Sequence, residues 1–200
     1  MTLVELLVAM GIFVVVLAVF MAGVVSMTRT TARSQAVSDA TSASRKVLDR
    51  FDKQVRYSTG INMPSSGLSG AYYVDFSMPA QIAGAAPVCI QWRFDPTAGT
   101  IALRSWTDST PPTPTAWSTV AINVRNPMPT KPPFRMIASN AATSQQSLVV
   151  YLDIGTVSSP GVVVSTTYVA RNTTDKTMTN QDLNLDGLSD TPVCAGVPRP

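Results

Sequence analysis

Three groups of side chains in this 200-residue chain have types and spacings that could do chemistry. The first is Glu5, set in an apolar run from Met1 to Met27 whose only other polar members are Thr2 and Ser26. A carboxylate buried in such a run costs a few kcal/mol and needs a named partner. The N-terminal end of a helix offsets only about 0.3–1 kcal/mol of that. The α-amine of Met1, about one helical turn away and with a reference pKa near 8, is the natural counter-charge. Side chains point outward from a helix, so the better pairing is between chains, the amine of one copy meeting Glu5 of the next. The plain alternative is an acid near a membrane surface, where charge is cheap.

The second group lies in the tail, in the run Asp182-Leu183-Asn184-Leu185-Asp186-Gly187-Leu188-Ser189-Asp190. Oxygen side chains at alternate positions, with glycine sixth, match the first half of a calcium loop. Asp182, Asn184 and Asp186 would converge as the backbone bends at Gly187. Leu188 would offer its carbonyl, and Asp190 would bind directly or through water. The twelfth position holds Val193 where such loops carry a bidentate acid, so a last ligand must come from elsewhere. The competing reading is an Asx-rich turn that needs no ion. The third group is the pair Cys89 and Cys194, whose spacing suits neither a zinc knuckle nor a Cys-x-x-Cys redox pair.

Catalysis is not expected. The chain has no histidine, which removes the commonest general base and metal ligand. No glycine-rich phosphate loop or paired catalytic acids stand out. A net charge of +3 with 14% charged residues is too mild and scattered to argue for nucleic-acid binding.

The start Met1-Thr2-Leu3-Val4-Glu5-Leu6-Leu7 resembles the mature N-terminus of type IV pilins and pseudopilins. In that family a prepilin is cut before a hydrophobic residue, the new terminus is N-methylated, and glutamate stands fifth ahead of a long apolar helix. The signature covers about the first 25 residues. The resemblance implies that Met1 is the terminus of a processed chain and that a basic leader once preceded it. Such a leader would outweigh Arg29 and Arg33, which would otherwise hold the C-terminal part in the cytoplasm. It implies a prepilin peptidase, an assembly platform and a motor ATPase as partners. The chain would sit in the inner (cytoplasmic) membrane before assembly and in a bacterial surface filament afterwards. Met1 and Glu5 would be its assembly residues. In an exported domain Cys89 and Cys194 would serve naturally as a disulfide, with two unpaired buried thiols as the alternative.

These groups need elements to hold them. No proline occurs before residue 57, and Val37, Ala40, Ser44, Val47, Leu48, Phe51 and Val55 recur at helical spacing opposite a charged face. The pattern predicts one helix in two halves: an apolar half over 1–27 and an amphipathic half over 28–60, with Gly60 as its C-cap. Residues 61–200 predict a globular β-rich head with strands over 72–76, 88–94, 100–106, 119–124, 134–138, 148–154 and 162–170. Asp95-Pro-Thr-Ala-Gly99 reads as a hairpin turn, and 63–70 as a loop. The proline-rich stretches 109–115 and 126–133 read as surface loops. The expected class is α+β, a long N-terminal helix packed on a C-terminal antiparallel sheet. The expected role is a structural subunit of a homopolymeric filament. A minor pilin or pseudopilin of a secretion or DNA-uptake filament, and a membrane-anchored binding module, are the alternatives.

Overall fold

The structure is a computed structural model and describes residues 2–80, 82, 84–156 and 159–200. Helix α1 (Leu3–Arg56) runs unbroken for 54 residues, about 81 Å at 1.5 Å per residue. No proline interrupts it, and Gly11 and Gly23 lie within it without a break. It divides by environment. Residues 2–35 are exposed throughout, while Ala40, Ser44, Val47, Phe51 and Val55 are buried at intervals of three and four.

That buried stripe lies on two antiparallel sheets. The first contains β1 (Gly60–Ile61), β2 (Ser65–Ser66), β3 (Tyr72–Met78), β4 (Val88–Asp95), β5 (Thr100–Thr107) and β6 (Ser118–Ala121). Its order is β1-β3-β4-β5-β6, with β2 also paired to β3. The second contains β7 (Phe134–Ile137), β8 (Ser147–Thr156) and β9 (Ser159–Val169), in that order. An isolated bridge joins Val124 to Ile154. Around it the Arg125 amide donates to the Asp153 carbonyl at 2.8 Å and Gly155 to Asn123 at 2.9 Å, so the sheets are stitched along one seam.

Alternation sends one face of each strand to the helix. Val74, Phe76, Ile90, Trp92, Phe94 and Ile101 from the first sheet meet Leu148, Val150, Leu152 and Ile154 from the second in one core. Phe51 is its keystone. Its ring stacks on Trp92 at 4.1 Å and lies 5.6 Å from Phe134 and 6.3 Å from Tyr168. Two hydrogen bonds fix the helix to the sheets: Trp92 Nε1 donates to Gln54 Oε1 at 2.9 Å, and the Tyr168 hydroxyl donates to the Leu48 carbonyl at 3.0 Å.

The seven expected strands are all present, each within a few residues of its predicted ends. The Asp95–Gly99 turn is present too: Asp95 Oδ1 accepts from the amides of Thr97 and Ala98, and Gly99 takes φ +60°. Two local expectations fail. Gly60 is not the helix cap; the helix stops at Arg56, and the Val55 carbonyl accepts from the Ser58 amide at 3.0 Å and from Ser58 Oγ at 2.8 Å. That frees Gly60 to pair with Ser77 in β1. The expected loop over 63–70 contains β2, because Ser65 and Ser66 lie against Tyr73 and Tyr72. Two-residue strands carry no period of their own and are made by the neighbour they pair with.

Candidate functional site

The apolar half-helix is the most unusual surface of the molecule. Its large side chains are exposed from 44% at Leu17 to 78% at Leu3. The helix contains an 18-residue window of mean hydropathy 2.9, none of it buried, so it is long and apolar enough to cross a membrane. The apolar surface does not stop at Met27. The hydroxyls of Thr28, Thr30 and Thr31 donate to the carbonyls of Val24, Ser26 and Met27 at 2.9–3.0 Å. With its hydroxyl turned back onto the helix, each threonine presents chiefly its methyl group outward.

Glu5 stands in the first turn, with Thr2 as N-cap. Thr2 Oγ1 accepts from the Glu5 amide, and Glu5 Oε2 accepts from the Thr2 amide, both at a long 3.4 Å. This is a capping box, and its signal was present in Thr2-x-x-Glu5. The expected pairing of Glu5 with the Met1 amine involves a residue outside the described range. Within one chain the glutamate closes its own helix end, through contacts loose enough to be exchanged.

Cys89 and Cys194 are joined, with S–S 2.06 Å and Cα atoms 5.6 Å apart across a sequence separation of 105. The bond ties the tail to the face of β4 turned away from α1. Asn62 holds the same tail by a reciprocal pair, donating from Nδ2 to the Val193 carbonyl at 2.7 Å and accepting from the Val193 amide at 2.9 Å. Arg199 forms an ion pair with Asp75. Fully buried Gln146 accepts from the Ile61 amide at 2.9 Å and donates to Thr179 Oγ1 and Asn180 Oδ1, both at 2.8 Å. The crevice beneath this tail, lined partly by Asp75, Leu188 and Arg199, encloses about 200 Å³. Small-molecule sites run to roughly 300–1,000 Å³, so it is undersized for one.

The tail loop folds back on itself around the bend at Gly187. Gly187 takes φ +79° and Leu185 φ +58°. Asp182 Oδ1 accepts from the Asp186 amide at 3.0 Å and its Oδ2 from the Gly187 amide at 3.1 Å. Asn184 Oδ1 also accepts from the Asp186 amide at 3.2 Å, and Asp186 Oδ1 accepts from the Leu188 amide at 2.8 Å. Asp190 turns its carboxylate to the Leu183 amide. These oxygens are satisfied by backbone N–H groups. Among the described residues no three acidic or cysteine side chains are grouped to hold a metal.

The outward face of β3, β4 and β5 carries residues that sequence reasoning did not single out. Arg93, Arg104 and Trp117 gather there, both guanidinium carbons lying within 4.6 Å of the Trp117 ring centroid. Strand alternation places both arginines on that face, but the approach of Trp117 from a proline-rich loop leaves no sequence signal. No family model matches the chain, and no curated protein or solved structure matches it.

Proposed function

We propose that the chain is a pilin-like structural subunit, anchored in a membrane by residues 1–27 and polymerised through the same half-helix into a surface filament. One observation carries this reading: an unbroken helix exposed over residues 2–35 and continuous with a second half whose stripe is buried in a folded head. Fully burying a Val, Leu, Ile, Phe or Met side chain gains about 1.5–3 kcal/mol. Lipid supplies that burial for a monomer, and a bundle of copies supplies it for a polymer. In the polymer Glu5 exchanges its loose contact with Thr2 for the Met1 amine of a neighbour, which sets the register of the incoming copy. A prepilin peptidase, an assembly platform and a motor ATPase complete the process. A membrane-anchored binding module explains the helix and the head but gives Glu5 no task beyond capping.

Glu5→Leu separates the two readings. The variant keeps its anchor and enters the membrane, and electron microscopy of sheared cell surfaces is expected to find few or no filaments. Normal filament yield from Glu5→Leu defeats the proposal.

A second reading concerns the tail loop, where alternate oxygen side chains fold around the bend at Gly187. Calcium would use Asp182, Asn184, Asp186 and Asp190 through their side chains and Leu188 through its carbonyl, displacing the amides those oxygens now accept. Chelation is then expected to lower the melting temperature of the protein. An unchanged melt in chelator assigns the loop to its own hydrogen bonds.

A further inference from the structure

The cluster around Trp117 has an unbalanced charge. Arg104 pairs in register with Gln91, and Arg93 with Ala102, so the two arginines are diagonal neighbours on the face turned away from α1. Arg104 is held in place: its Nε donates to Gln91 Oε1 at 2.7 Å and one Nη to the Pro198 carbonyl at 3.0 Å. Arg93 is different. Half-buried, it makes no hydrogen bond and no ion pair among the described residues, and its Nε is shielded from solvent without an acceptor. Its one specific contact is the face of Trp117, 4.6 Å from guanidinium carbon to ring centroid.

The nearby acids do not balance these charges. Asp75 is committed to Arg199. Asp95, two residues along β4, turns its carboxylate to the amides of Thr97 and Ala98. Among the described residues Arg93 is left without a carboxylate partner. Burial, with the neighbouring Arg93 charge adding to it, pulls the Arg104 guanidinium below its ordinary value, while Tyr73 and Asp75 act in the opposite direction. A guanidinium seated over an indole face, as Arg93 is at 4.6 Å, still has N–H donors to offer at its outer end, and an oxyanion can take two of them at once. Stacking also removes much of the rotamer entropy that a free arginine would lose on binding.

We propose that Arg93 and Arg104, held against Trp117, form an oxyanion site on the outer face of the head that takes a carboxylate, sulfate or phosphate group. Arg93 supplies the unused fork of donors, Arg104 the second positive charge, and Trp117 the platform that fixes both. The site lies in the folded head and does not depend on what the apolar helix does.

The test is titration of the full chain in a nonionic detergent with sodium sulfate against sodium chloride at matched ionic strength, followed by tryptophan fluorescence. Wild type is expected to give a saturable response to sulfate alone, and Trp117→Phe to lose it. Arg93→Gln should weaken apparent affinity about tenfold or more, as expected for losing a charged hydrogen-bonding partner. Arg93 bonds to nothing else, so its variant should fold normally, with an unchanged melt in chloride. Arg135→Gln, an exposed arginine on β7, removes the same charge elsewhere and should bind like wild type. A response equal in sulfate and chloride, or one that survives Arg93→Gln or Trp117→Phe, overturns the site. Equal losses in Arg93→Gln and Arg135→Gln also overturn it, since they would mark a diffuse charge effect.

Discussion

At the scale of single residues, the seam between helix and sheet rests on a few side chains. Tyr168 is one whose part can be read by pH. Burial pushes its phenol up to about 12, and the charges of Asp52 and Asp49 push the same way. A phenol kept neutral by the fold ionises more readily in the unfolded chain, where its pKa is about 10. Its contribution is therefore complete below about pH 10 and is lost as pH rises from there through the folded value. Tyr168→Phe should lower stability at pH 7 by about 0.5–1.5 kcal/mol, the usual worth of a hydrogen bond such as that to the Leu48 carbonyl. The same variant should flatten the fall in stability between pH 10 and 12. Burial also raises the phenol of Tyr72, so some alkaline slope remains. Urea unfolding across that range decides it: parallel curves for variant and wild type would place the titration elsewhere.

At the scale of elements, the sequence was most legible where a segment carries its own period. Ala40, Ser44, Val47, Phe51 and Val55 mark a buried helical stripe without reference to the rest of the chain, and the apolar start is equally plain. The long strands were readable because turns such as Asp95–Gly99 punctuate alternating runs. Contacts between distant segments were not readable. β1 and β2 exist only because β3 lies beside them, and the bonds from Arg199 to Asp75, Asn62 to Val193 and Trp117 to Arg93 join residues that nothing in the local sequence links. The Thr2–Glu5 capping box is legible as Thr2-x-x-Glu5, but the same carboxylate in an apolar run equally fits a partner in another chain. The tail is the element where distant bonds matter most. Cys89→Ala with Cys194→Ala should cost about 2–5 kcal/mol, the range for native disulfides closing long loops. Denaturant unfolding of the double variant measures it. A loss well under 1 kcal/mol would mean that Asn62, Gln146 and Arg199 pin the tail without the sulfur bond.

At the scale of the whole molecule, the two ends are built by different rules. The head closes around Phe51 and Trp92 and buries its own apolar side chains in one core. The half-helix offers water a surface that water rejects. The Glu5→Leu experiment belongs at this scale, since it leaves every contact within the head intact and asks only whether copies associate. The sequence alone located this division, because hydropathy is a local property. The oxyanion site was invisible for the opposite reason: its parts come from β4, β5 and the loop before β6.

The unbroken course of α1 has a mechanical corollary. A pull on one end of a straight helix stretches hydrogen bonds lying nearly parallel to its axis, and no hinge between Leu3 and Arg56 is present to absorb the strain. In a fibre of such rods, tension would pass from helix to helix along the centre. The heads, with their sulfur clasp and arginine-lined face, would ride outside the path of the load.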